Sequence, residues 1–149
     1  MMKYKLFFAF VCMVLAGCVS KPNISSYDGT QGTIGKNSIQ KMIYGVDVIF
    51  SKLHSRNNIF YIEDSHSDIA NAFIENIKRK GFIVIVTNKE DKINYKKINM
   101  GIISKRITPE IYSLSIITDK YRINQPYDLQ LNKIGEVSIQ NKNEVVNHG

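Results

Sequence analysis

The chain has 149 residues, with 20 Lys and Arg against 13 Asp and Glu, 44% hydrophobic residues, three prolines and no Trp. That length suits one domain, and a normal apolar share with 22% charged residues excludes a disordered or collagen-like chain. Both cysteines, Cys12 and Cys18, stand near the N-terminus, so neither a disulfide framework nor a cysteine-based zinc site can hold the body of the chain together.

The chain opens on Lys3 and Lys5, followed by the apolar run Leu6 to Leu15. A basic start and about ten apolar residues make a secretory leader, too short to span a bilayer. Leu15-Ala16-Gly17-Cys18 then resembles the lipobox of bacterial lipoproteins, in which small residues admit the backbone to the peptidase and the Cys18 thiol takes a diacylglyceryl group. One acyl chain holds a protein to a membrane only marginally, whereas two or more hold it firmly. The expected division is a leader over 1–17, a lipidated N-terminus and flexible tether over 18–36, a domain over 37–139 and a disordered tail over 140–149. Val19 stands where an Asp would signal inner-membrane retention, which points to the outer membrane, periplasmic side. Loss of Lys3 and Lys5 leaves 18 basic residues against 13 acidic ones, scattered along the sequence.

Within the domain, Ser38 is placed to cap a helix in which Ile39, Met42, Ile43, Val46, Ile49, Phe50 and Leu53 form one apolar stripe. Gly45 inside that helix costs about 1 kcal/mol relative to Ala unless close packing needs it. Ile59 to Ile62 reads as a strand. Ser67 to Lys80 reads as a second helix, with Ser67 and Asp68 at its start, Lys78, Arg79 and Lys80 in its last turn, and Gly81 after it. Phe82 to Val86 is apolar throughout, which predicts a strand covered on both faces or lying centrally in a sheet and makes Ile83 and Ile85 core residues beside Phe73 and Ile77. After the polar loop 87–92, alternation at Ile98, Met100 and Ile102 and again at Tyr112, Leu114 and Ile116 predicts a hairpin turning at Thr108-Pro109-Glu110. Further strands are expected at Glu136 to Ile139 and Tyr121 to Ile123. The expected fold is α+β: two layers, two helices on a mixed sheet of four or five strands that contains a β-α-β unit.

Motifs for chemistry are sparse. Glu63, Asp64, His66 and Asp68 form an acidic, histidine-bearing cluster, but Asp and Ser at a helix start satisfy free amides and favour the dipole, so the cluster reads as a cap and no metal site is assigned. His54 reads as a cation at a helix C-terminus, and His148 lies in the tail. Gly29, Gly32 and Gly35-Lys36 fail the phosphate-loop spacing, because Thr30 and Asn37 stand where Gly and Ser or Thr are required. No serine hydrolase, zinc protease or dinucleotide motif is present, so no catalytic residue, cofactor or small-molecule substrate is assigned. Lys96-Lys97 and Lys105-Arg106, interleaved with Tyr95 and Tyr112, suit a solvated strand face rather than direct nucleic-acid binding. Tyr112, Tyr121 and Arg122 are the candidate partner contacts, Tyr because it joins large apolar area to a polar end, with Tyr127 as a further such tyrosine.

The lipobox, then IFYIEDSHSDIANAFIENIKRKGFIVIV, then EIYSLSIITDKYRINQPYDL and a closing GEVSIQ together resemble the TrbH family of conjugal transfer proteins. The family pattern of strand, helix with a basic turn and Gly, strand, Tyr-led strand, Arg-containing segment and final Gly-aromatic-polar strand maps onto Ile59, Gly81, Tyr112, Arg122 and Gly135, with Glu136 and Val137 standing where the pattern has its aromatic residue. The resemblance implies a lipid-anchored, non-enzymatic component of the mating-pair apparatus, a type IV secretion machine whose contacts are other envelope proteins. It carries no site beyond lipidation at Cys18. An outer-membrane assembly or lipid-trafficking lipoprotein is the alternative with the same layout, and a lipid-anchored hydrolase is a third. For the N-terminus, the expected outcome is cleavage before Cys18 with a lipidated thiol, read by mass spectrometry of the mature protein; an unmodified Cys18 rejects the anchor.

Overall fold

A computed structural model describes residues 24, 26–29, 34–64, 66–87 and 97–143. The leader, Cys12, Cys18, most of loop 87–92, Tyr95, Lys96 and His148 lie outside the described residues. In chain order the elements are β1 (Tyr27–Asp28), α1 (Lys36–Ile43), α2 (Val46–Leu53), β2 (Ile59–Glu63), α3 (Asp68–Arg79), β3 (Ile83–Thr87), β4 (Lys97–Thr108), β5 (Ile111–Thr118), β6 (Tyr121–Tyr127) and β7 (Ser138–Asn141).

The second predicted helix forms where its terminal signals placed it. The Ala70 N–H donates to Ser67 Oγ at 3.2 Å, Asp68 sits in the first turn of α3, and Lys78 and Arg79 sit in the last. Gly81, at φ 91°, turns the chain so that the Phe82 N–H reaches the Ile77 carbonyl at 3.1 Å. The first predicted helix is instead two short helices, α1 and α2, broken at Tyr44 and Gly45. It starts at Lys36 after Gly35, so Ser38 lies inside α1 and caps nothing.

Buried polar chemistry accounts for the break. Gly45 adopts φ 93°, and its N–H donates to Asp47 Oδ1 at 3.0 Å. The other oxygen of Asp47, a residue only 3% exposed, accepts from Lys80 Nζ at 2.7 Å and from Asn76 Nδ2 at 3.4 Å, so the same carboxylate fixes the bend and ties it to α3. The break also orphans carbonyls at the end of α1. The fully buried Tyr127 hydroxyl donates to one of them, that of Met42. Burial, and then the Asp47 charge, push the Tyr127 phenol above its ordinary value, which keeps it a donor.

The fold is α+β with a mixed open sheet of seven strands, more than the four or five expected. The order is β3-β2-β4-β5-β6-β7, with β1 also paired to β4. Strands β2 and β3 are parallel and joined through α3, which is the β-α-β unit; β4 is parallel to β2 and antiparallel to β5, and β6 and β7 continue as an antiparallel meander. The strand that was not expected is β1, whose Tyr27 and Asp28 belong to the expected tether; the strand expected at Glu136 to Ile139 forms two residues later, as β7, and reaches Asn141 inside the expected tail.

Helices cover one face of the sheet. Phe60, Ile62, Met100, Ile102, Leu114 and Ile116 project from it into one core with Ile43, Phe50, Phe73 and Ile77. The Phe50 ring touches Phe60 at 5.0 Å, Phe82 at 5.4 Å and Phe73 at 5.5 Å between centroids. Phe73 and Ile77 are fully buried as expected, but Ile83 is 51% exposed and Ile85 38%. The correction follows from alternation on a sheet that helices cover on one face: Phe82 and Val84 face the helices, while Ile83 and Ile85 lie on the other face of β3, which is also an edge strand. The strand buried along nearly its whole length is β5, from Tyr112 to Thr118.

Gly45→Ala is expected to destabilise the fold by about 1 to 2 kcal/mol, because an L side chain is strained at that φ. A continuous helix would give the opposite sign, since Ala is the better helix former. Denaturant unfolding of the variant decides between them.

Candidate functional site

Residues 26–29 join the domain through β1. The Ile102 N–H donates to Ser26 Oγ at 3.0 Å, and the Gly29 N–H donates to the Ser104 carbonyl at 2.7 Å. Between them the Asp28 carboxylate accepts from the hydroxyls of Ser67 and Ser104, each at 2.8 Å. Ser67 caps α3, so one short strap is bonded to both layers. The expected tether of residues 19–36 is therefore interrupted by a strap that belongs to the domain.

Tyr112, Tyr121 and Arg122 do not make one patch. Tyr112 is 7% exposed in β5, with the Arg106 guanidinium 5.7 Å from its ring centroid, and it pairs across the sheet with buried Tyr127. It is a core residue. Tyr121 and Arg122 begin β6 at the opposite end of that strand pair, and successive side chains on a strand point to opposite faces. Tyr121 is half-buried against His54, and Arg122 is exposed. The late hairpin also offers no free edge, because β5 lies between β4 and β6 and β6 lies between β5 and β7. The path's end strands are β3 and β7.

Around Arg122 the cations crowd. Lys142 Nζ donates to the Thr118 carbonyl at 2.7 Å, and the Lys142 N–H donates to the Lys120 carbonyl at 2.9 Å. Burial, and then the neighbouring Arg122 charge, pull the Lys142 ammonium below its ordinary value, against the opposing pull of Asp119. Asp119 is itself occupied, accepting from the Asn99 N–H at 2.8 Å.

His54 is not the solvated helix-end cation expected from its position. It is 6% exposed, packed against the rings of Phe50 at 4.6 Å, Phe60 at 5.1 Å and Tyr121 at 5.4 Å, and neither ring nitrogen has a hydrogen-bond partner. Burial first, and then the Lys120 charge, lower its pKa to about 4, so it is neutral near pH 7. The signal for this was in the sequence: Val46, Phe50 and His54 recur at intervals of four on the stripe that faces the core.

In the acidic cluster, the His66 N–H donates to Asp64 Oδ1 at 3.1 Å, while Asp68 lies in the first turn of α3. Among the described residues no three His, Cys, Asp or Glu side chains are grouped to hold a metal ion. No described helix is long and apolar enough to cross a membrane. Comparison with protein-family models, curated proteins and solved structures finds no match to this chain.

Because the His54 pKa is depressed in the folded state, its contribution is fully present above about pH 6.5, the ordinary value, and is lost as pH falls toward about 4. The loss should be on the order of 2 to 3 kcal/mol across that window. His54→Phe, which keeps an aromatic ring in the cluster and cannot charge, should flatten this part of the stability profile, measured by unfolding at a series of pH values. An unchanged slope rejects His54 as its source.

Proposed function

We propose that this chain is a lipid-anchored structural component of a conjugal transfer apparatus, a type IV secretion machine for mating-pair formation, acting through protein contacts at the cell envelope. The observation that carries the reading is a basic and apolar start with Leu15-Ala16-Gly17-Cys18 ahead of one small α+β domain. The order of elements around Ile59, Gly81, Tyr112, Arg122 and Gly135, on which the resemblance to TrbH proteins rests, supports it. Lipidation at Cys18 confines the domain to a layer beside the membrane. Confinement raises its effective concentration for partners on the same surface, so a modest interface suffices.

Extraction in mild detergent followed by affinity purification should bring transfer-apparatus proteins with the chain, and deletion should lower DNA transfer. A chain that emerges alone from cells with an assembled apparatus, together with unchanged transfer on deletion, rejects the reading. Co-purification with outer-membrane assembly or lipid-trafficking proteins would favour the alternative.

A further inference from the structure

Basic residues that are scattered along the sequence are gathered by the fold at one end of the sheet. Registers place the first residues of β2, β3, β4 and β6 at the same end as the last residues of β5 and β7: Ile59 stands beside Ile83 and Lys97, Ile117 beside Arg122, and Tyr121 beside Asn141. His54, at the C-terminus of α2, touches Tyr121 and Phe60, and α3 returns to the same end before β3 begins.

This end carries Arg56, Arg79, Lys97, Lys120, Arg122 and Lys142, none of them in an ion pair among the described residues. Lys78 and Lys80 stand there too, paired with Glu75 and Asp47. Asp119 is the remaining carboxylate at this end among the described residues, and it is bonded to Asn99. The other end, where the strap docks, is mixed: Asp28, Glu63, Asp64, Asp68, Glu110 and Asp128 stand with Lys41, Lys105, Arg106 and Lys133. Cations at helix C-termini follow from the dipole. Those at the strand ends, Lys97, Lys120, Arg122 and Lys142, have no such cause; the Lys142 N–H donates to the Lys120 carbonyl at 2.9 Å, and Arg122 pairs with Gln140 in β7, so three of them are gathered by the β6–β7 pairing.

We propose that this basic end is the protein's contact surface for an acidic segment of a partner protein, on the side of the domain away from the anchored membrane. The reading rests on lipidation at Cys18, which sets which end faces the bilayer. The strap pairs at Ile103 and Ser104, and the strand from there back to Lys97 spans about 20 Å. That exceeds the distance over which exposed charges act at physiological ionic strength, about 8 Å. The membrane that holds the anchor is therefore not the natural occupant of the basic end. Exposed Ile83 and half-buried Ile59, beside Lys97 on the face away from the helices, add an apolar element that a protein surface can cover and a phosphate backbone cannot. Tyr121 and Arg122 belong to this end; Tyr112 does not.

The test is site-specific photo-crosslinking of the full mature chain in isolated envelopes. A photoreactive side chain at Lys120 should give a protein adduct at several times the yield obtained from Lys105 at the opposite end, with the cross-linked peptide mapping to an acidic segment. Arg56→Glu with Arg122→Glu should lower the Lys120 adduct at least about tenfold. Circular dichroism checks that the double variant is folded, and Arg122→Lys should retain the adduct. Equal yields from the two positions, a yield that charge reversal leaves unchanged, or adducts to nucleic acid or lipid in place of protein would each overturn the proposal. An adduct to an acidic protein outside the transfer apparatus would support this surface while rejecting the assembly proposed above, and a mature chain without lipid would remove the membrane-facing assignment.

Discussion

The fold depends on β4 being bonded along both edges. Its first residues pair in parallel with β2, its middle pairs in parallel with β1 on the same edge, and the opposite edge pairs antiparallel with β5 almost throughout. The β-α-β unit and the meander meet only through this strand, so without it the chain would be two half-sheets, each too small for an independent core. The twelve residues of β4 are long enough for two partners in succession on one edge, and its core-facing residues Ile98, Met100, Ile102 and Ser104 are all buried. Ser104 differs from the others in being polar. Its hydroxyl binds Asp28, so the strap is held by a side chain that an apolar residue could not replace.

Legibility in the sequence followed the range of the forces involved. Helix α3 was readable because Ser67, Asp68, Lys78, Arg79 and Gly81 act within one turn of its ends, and a local signal needs no tertiary partner. The α1–α2 break was not, because the local bond of the Gly45 N–H to Asp47 is held in place by Lys80, and the carbonyl it frees at Met42 is satisfied by Tyr127, both partners distant in sequence. The hairpin of β4 and β5 was visible in alternation around Pro109. The edge position of β3 was not, since an apolar run looks the same at an edge as in the middle until strand order is known. Short strands defeat periodicity altogether: β1 has two residues, and its composition matches a linker.

The candidate site divides in the same way. Cys18 is read entirely from local sequence. Tyr112 and Tyr121 look alike as aromatic residues in strands, yet Tyr112 lies in the core with Leu114 and Ile116, two and four residues on along β5, and Tyr121 is half-buried at the sheet's end against His54. Arg122 remains exposed, and its setting among Lys120 and Lys142 appears only when the β5–β6 turn and the end of β7 are brought together. His54 shows the converse. Its spacing from Phe50 was available in the sequence, but the rule that cations favour helix C-termini presumes solvent there, and Tyr121 and Phe60 exclude it.

The charge polarity of the domain has a topological origin. Parallel strands linked by a returning helix all begin at one end of the sheet, so each helix in the unit ends where the next strand starts. Helix C-termini favour cations and N-termini favour carboxylates. A β-α-β arrangement thus places Lys78 and Arg79 at one end and Asp68 at the other before any binding requirement applies. The antiparallel half is under no such rule, because its strands alternate in direction and have no helix between them. That Lys120, Arg122 and Lys142 nevertheless fall at the end already made basic by the helices adds to a field that folding alone does not require. Like charges so placed repel one another, and an acidic partner relieves that repulsion when it binds.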